Sequence, residues 1–523
     1  MILSRGPPSS MSKLLQILLV AAVVGIIIHL TRLSERRQFQ PAAVHVKLPA
    51  AGHLTSEERY LSRIADECKL TNETSWLAWR VQYSEESTPR KSMTNVQLNF
   101  KSQEPKIVDV QHPITKHVHA SGRMELPVSS SPLAGQVDAS DFLFGVSTTY
   151  ARIMAQDGAL IQAWTRWLTN GRDATNGASM VVMLDQANDA QVDEIDQQLQ
   201  AVGMDAYVTT TEEPMSMARR YYELARILKT FSANLEANGQ KKIWFGLIED
   251  TIFFPSLSYL LDRLYSYNTA TQLYIGVPSE QQDWQADQED GNTITTAGGG
   301  AVFLTRSSLT QIPRLSCFNR GNAVEGPVRS KHWDVLLQEC ITKHTDWQMH
   351  VLPGFYAPND APHKASVDSY ETGQQPLLLH QAEDRHDLDA SRAHLVTNLC
   401  GEACFMQRYV FHDNWVLVNG VSVTEYPDGL HQAEGDELAG ADAATHLQLP
   451  DRYVVNTDDE GDRSVLTWTG RKNVWRFADA AIDDTGAVWQ AYVKKADPSK
   501  GTPEDAIDSV IVLAWENEVP RRR

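Results

Sequence analysis

From Asp141 to Ile248 the chain alternates short apolar runs with longer stretches whose apolar side chains recur at helical spacing. This alternation limits the fold more than any other feature. Apolar runs of about four to eight residues read as strands, whereas a spacing of three to four residues reads as an amphipathic helix. The pattern predicts strands at Phe142–Val146, Met180–Leu184, Ala206–Val208 and Ile243–Ile248, separated by helices at Arg152–Leu168, Gln191–Val202 and Pro214–Leu235. Such an order builds a mostly parallel sheet with right-handed crossovers. The fold class is therefore α/β, and a ligand is expected in the crevice outside the carboxyl ends of the strands.

The last of these strands carries the main chemical signal. It runs into Glu249 and Asp250 before aromatics return at Phe253 and Phe254. Two carboxylates at a strand end can hold a hard divalent cation against the phosphates of a nucleotide. A solvated strand-to-helix turn, with Pro255 and Ser256 opening the next helix, explains the same residues without a ligand. Further on, Gly298, Gly299 and Gly300 precede a predicted strand at Val302–Leu304. Glycines there allow close backbone approach to a ligand, or simply form a bulge or tight turn. A predicted helix at His332–Thr342 places Asp334 in its first turn, where carboxylates also serve as dipole and capping partners. His380 follows an apolar run, the setting of a packed core histidine or of a metal ligand.

The ends of the chain differ from this middle. With 523 residues and 42% hydrophobic content the chain accommodates two or three domains. A formal charge of -19 and a pI of about 5.3 argue against a nucleic-acid partner, which calls for a basic face. Leu14 to Leu30 is apolar apart from Gln16 and His29, which predicts a membrane anchor at 14–30 behind a tail at 1–13. A cleaved signal peptide is the competing reading, but the residues from Thr31 to Arg37 offer no small-x-small cleavage site. Arg5 and Lys13 precede the run while Arg32, Arg36 and Arg37 follow it, so charge alone does not set the orientation. Residues 31–54 read as a stem, and Thr55 with Glu58 forms a capping box that opens an extension over 55–140, expected to pack on the core. Beyond Phe405 short apolar runs alternate with turn signals, predicting a β-rich module over 405–523. Asn72-Glu73-Thr74 is a glycosylation sequon if this part is lumenal. Five cysteines would leave one thiol after two bridges in an oxidising compartment. Cys400 and Cys404 are the nearest local pair, Cys317 and Cys340 are the other candidates, and zinc binding is the weaker alternative for the Cys-x3-Cys spacing.

Several segments, in order, carry a family resemblance: Asp141 to Thr149, Trp244 to Ser256, Tyr274-Ile275-Gly276 with Gly298 to Leu304, and Asp334 to Ile341. Pro353-Gly354-Phe355, Tyr370 to Gly373 and Pro376 to His380 complete the set. From about Asp141 to Arg408 the chain resembles the Fringe-like β-1,3-glycosyltransferases, especially their fungal, Golgi-type branch. That resemblance implies a GT-A-like, nucleotide-sugar-binding catalytic domain at 141–404. It also implies a single-pass type II Golgi membrane protein with its catalytic domain lumenal. The expected substrates are a nucleotide-sugar donor such as a UDP-sugar and a glycan or glycoconjugate acceptor, with Mn2+ or Mg2+ as cofactor and inversion at the sugar carbon. Carried over by position, Asp334 is the base and Glu249, Asp250 and His380 are the metal ligands. Thr148, Thr149, Asp185, Arg152, Arg220, Gly299 and Gly300 line the donor site. The departure is Thr251, which stands where the family has a third acid, and a neutral hydroxyl is a poor ligand for a hard dication, so either Glu249 and Asp250 take over with His380 or metal dependence is weak or absent. The competing expectation is a catalytically degenerate, membrane-anchored sugar-binding or scaffolding protein on the same fold. An α/β hydrolase finds no support, because the chain has no Gly-x-Ser-x-Gly elbow.

Overall fold

The computed structural model describes residues 47–48 and 54–516 except 89, 92, 212, 277–285, 288–293, 296–299, 317–332, 353–369, 371–376, 381, 384–386, 434–452, 456–464 and 502–504. The expected anchor at 14–30, the tail before it, Gly299 and Cys317 lie outside these residues. Among the described residues no helix is long and apolar enough to cross a membrane.

The centre of the chain forms an eight-stranded sheet. Its order is Tyr453–Val455, Met349–Val351, Tyr274–Gly276, Ala301–Thr305, Trp244–Ile248, Phe142–Thr148, Ser179–Leu184 and Asp205–Thr210. All strands point the same way except Ala301–Thr305, which runs antiparallel to both of its neighbours. Period-two geometry sends successive side chains to opposite faces. Phe142, Phe144, Met180, Val182, Trp244 and Ile248 therefore enter one core, while Leu143, Val181, Met183, Phe245 and Leu247 enter another. Helices Ala159–Leu168, Asp189–Ala201 and Leu257–Tyr265 cover the first face, and Met217–Ala237 with Trp333–His344 covers the second. Burial on both faces explains why the central strands are continuous apolar runs. Gly246 allows close packing inside the sheet, because a Cβ there would lie 2.8 Å from the Phe144 ring.

The helix expected over Arg152–Leu168 is in fact two helices, Tyr150–Met154 and Ala159–Leu168. Between them Gln156 and Asp157 take left-handed φ values of 48° and 52°. The Asp157-Gly158 turn signal outweighs the helical periodicity on either side.

The stretches expected as a separate N-terminal extension and C-terminal module share one ten-stranded sheet. Glu73–Glu86 pairs in parallel with Asp508–Glu516, from Thr74 opposite Asp508 to Gln82 opposite Glu516. One face of this sheet, including Trp79, Val81, Leu513 and Trp515, joins the first core of the α/β unit. The other face is closed by helix Ser56–Cys68, whose Thr55 and Glu58 make both bonds of the expected capping box.

Candidate functional site

The carboxyl ends of Phe142–Thr148, Ser179–Leu184 and Trp244–Ile248 meet at one edge of the α/β sheet, and a continuous polar network joins the residues there. The amide of Asp185 donates to the carbonyl of Thr148 at 2.8 Å. Arg220, from helix Met217–Ala237, donates its Nε to Ser147 and its Nη1 to Asp185, each at 2.8 Å. The hydroxyl of Thr148 donates to Asp250 Oδ2 at 2.5 Å. Arg152 grips the same carboxylate with both arms of its fork, Nε to Oδ2 at 2.7 Å and Nη2 to Oδ1 at 2.9 Å. Asp250 is buried, whereas the Arg152 side chain is 54% exposed.

Glu249, one residue earlier, faces a different set of partners. Its Oε1 accepts from the indole of Trp333 at 2.8 Å, and its Oε2 lies 2.8 Å from His380 Nε2. Trp333 stacks on Tyr221 with ring centroids 3.8 Å apart, and the Tyr221 hydroxyl donates to the carbonyl of Ile248. The carbonyl of Gly300 accepts from the Glu249 amide at 2.8 Å. Gly300 has a φ of 94°, and a Cβ there would lie 3.0 Å from Ile252 and 3.4 Å from the His380 ring. Asp334 follows Trp333 directly in the chain and is buried.

Most of the expected site residues are thus gathered at one strand-end crevice. Thr149 does something else: its hydroxyl accepts from the Arg152 amide and caps helix Tyr150–Met154. The three expected metal ligands are not aimed at a common point. Asp250 turns both oxygens to Arg152 and Thr148, whereas Glu249 turns its own to Trp333 and His380. Thr251 offers only a neutral hydroxyl, which is buried and makes no hydrogen bond among the described residues. Among those residues no group of three His, Cys, Asp or Glu side chains could hold a metal ion. Glu249, Asp250 and His380, as arranged, do not fit the expected Mn2+ or Mg2+.

Two tryptophans escaped the reading of the site residues. Trp333 anchors Glu249, and the indole of Trp164 donates to the carbonyl of Asp250 at 3.0 Å. Trp333 stands immediately before Asp334, which was a usable signal; Trp164 reads from sequence only as part of an apolar helix face. Next to Asp250 and Thr251 opens a cleft of about 480 Å³ lined by Arg152, Gln156, Glu383, Asp389 and Arg392. The Gln156 amide donates to Glu383 at 3.3 Å, and Arg392 pairs with Asp389 at 3.2 Å.

Asn72 is exposed. Cys400 and Cys404 form a disulfide with Cα atoms 5.8 Å apart, Cys340 is also disulfide-bonded, and Cys68 is a free thiol.

No family model matches the chain, and no curated protein matches it. Among solved structures it is similar to the glycosyltransferase GlyE of Streptococcus pneumoniae TIGR4, at 9% identity over 39% of this chain and 44% of that one, with a TM-score of 0.25. A glycosyltransferase involved in the glycosylation of the major capsid of PBCV-1 aligns at 11% identity over 46% of this chain and 92% of that one, with a TM-score of 0.24. The inositol-1-phosphate CTP transferase from T. maritima aligns at 10% identity over 40% of this chain and 84% of that one, also with a TM-score of 0.24. The chain spans less than half the length of the pneumococcal protein, at 44%. Likenesses this distant carry no argument about activity.

Proposed function

We propose that this chain is an inverting glycosyltransferase on a GT-A-like fold, moving a sugar from a nucleoside-diphosphate donor to a hydroxyl of a glycan or glycoconjugate. One observation carries the reading. Residues from three strand ends and two helices form a single network, from Asp185 and Arg220 through Thr148 to Asp250 and Arg152, in the crevice where α/β sheets bind nucleotides. The resemblance to Fringe-like enzymes supports it and supplies the remaining roles, including a lumenal catalytic domain anchored in the Golgi membrane by residues 14–30.

In this reading Thr148 and Asp185 face the nucleoside, and Asp334 is the base. A sugar hydroxyl is too weak an acid to ionise beforehand, so the carboxylate takes its proton as the new glycosidic bond forms and the nucleoside diphosphate leaves. The sugar carbon is attacked from the face opposite the departing phosphate, which inverts it. Holding both partners in line supplies much of the rate.

Steady-state kinetics of Asp334→Asn test this assignment. Transfer is expected to fall by about 10² to 10⁴, with the affinity for the nucleoside diphosphate unchanged. Wild-type turnover in that variant would remove Asp334 from the mechanism. A second reading, a sugar-nucleotide binding protein without turnover, is favoured by the neutral Thr251 and by the closed Asp250–Arg152 pair. Donor binding without any release of nucleoside diphosphate would select it.

A further inference from the structure

We infer that the fixed positive charge facing a donor's diphosphate is the guanidinium of Arg152, held in place by Asp250, and that diphosphate binding needs no divalent cation. The inference rests on the nucleotide-site reading above and refines it. A metal bridge requires carboxylate lone pairs directed at one point, with several oxygens around the ion. Here both oxygens of Asp250 are used by Arg152, with Thr148 sharing one of them. Both oxygens of Glu249 point to Trp333 and His380. For an ion to sit on Asp250 it would have to break a two-armed, charge-assisted pair, and the neighbouring Thr251 brings no charge to compensate.

Arg152 is suited to the role that the ion leaves open. A guanidinium has five N–H donors in a planar fork, and the Asp250 pair uses two of them. Three donors remain on a side chain that is 54% exposed and lines the cleft beside Asp250. Arginine forks match phosphate oxygens in pairs, which fixes orientation as well as charge. Asp250 is then a positioning residue: it aims the guanidinium, and its backbone carbonyl is itself fixed by the Trp164 indole. The two-helix break after Met154 keeps the segment carrying Arg152 short, capped by Thr149 at one end and turned by Gln156 and Asp157 at the other. Arg152 is thereby presented at the rim rather than along a continuous helix.

Calorimetric titration of the full chain with UDP, GDP and ADP, in excess chelator and in Mn2+, tests this directly. At least one of these nucleotides is expected to bind with an affinity that changes by less than about threefold between the two buffers, a difference well under 1.4 kcal/mol. Arg152→Ala is expected to weaken that binding by roughly tenfold to a hundredfold in both buffers, as for loss of charged hydrogen bonds. Arg152→Lys should restore part of it, and this variant also serves if the alanine form does not fold. Asp250→Asn keeps one acceptor for Thr148 and Arg152 but removes the second arm and the charge that aim the guanidinium, and is expected to weaken binding by the same factor in chelator and in Mn2+. Binding that appears only with Mn2+ and disappears in Asp250→Asn would overturn the inference while leaving the transferase reading intact. Absence of binding by all three nucleotides in both buffers would overturn both.

Discussion

At the scale of single residues, His394 is tightly held outside the crevice. It is fully buried, and Arg166 Nε donates to its Nδ1 at 3.3 Å while its Nε2 faces the carbonyl of Pro255 at 3.1 Å. These partners fix the neutral, Nε2-protonated tautomer, because a proton on Nδ1 would meet the Arg166 N–H head on. Burial, and next the Arg166 charge, hold its pKa well below the ordinary histidine value. The unfolded chain therefore binds a proton that the folded one refuses. Stability from this group is complete above about pH 6.5 and declines as pH falls toward the folded pKa. Thermal melting of wild type is expected to drop on acidification below about pH 6.5, and His394→Gln should show a shallower slope over the same range. Equal slopes would mean that His394 does not carry the effect. The places of Glu249, Asp250, Asp185 and Arg220 in the fold were readable one at a time, because they sit beside strand ends or near a helix start that periodicity locates. Their partners were not readable, because the choice of Asp250 for Arg152 and of Glu249 for Trp333 and His380 is made by side-chain direction across 84 to 131 residues of sequence.

At the scale of elements, the loop closed by Cys400 and Cys404 supports the segment after the crevice strand. Glu402 lies within it, buried, and accepts from the Ser258 amide and hydroxyl at 2.9 and 2.6 Å, at the start of helix Leu257–Tyr265. Replacing both cysteines by serine is expected to cost about 2 kcal/mol from lost chain entropy across so short a loop. Chemical denaturation of wild type and the double serine variant side by side, without reductant, measures it, and an unchanged midpoint would show that the loop holds itself. Gly300 is a second element-level constraint. Gly300→Ala places a Cβ on left-handed backbone and against Ile252 and His380, with an expected loss of about 1 kcal/mol or more. The same denaturation measurement checks it, and a stabilised variant would contradict the strain. The strands of the α/β unit were legible because burial on both faces leaves a continuous apolar run. The break at Gln156 and Asp157 was not read, since the apolar positions on either side keep helical spacing through it.

At the scale of the whole molecule, the two ends of the described chain complete each other. Asp508–Glu516 lies between Val488–Lys494 and Glu73–Glu86, with Leu513 and Trp515 fully buried. Deleting residues 505–523 should expose the Glu73–Glu86 edge and abolish cooperative unfolding followed by circular dichroism. A truncated chain melting like wild type would show that the shared sheet is not needed. This pairing was invisible in the sequence, since parallel partners more than 400 residues apart leave no local pattern in either strand. One face of the shared sheet joins the core of the α/β unit that carries the strand-end crevice, and in the proposed reaction this crevice releases a nucleoside diphosphate from a sugar donor. The most direct measurement is nucleoside diphosphate release by the purified full chain across a panel of nucleotide sugars, with wild type and Asp334→Asn side by side. The expected result is release from at least one donor by wild type and a loss of about a hundredfold or more in the variant. Absence of nucleoside diphosphate release from every donor on the panel would contradict it.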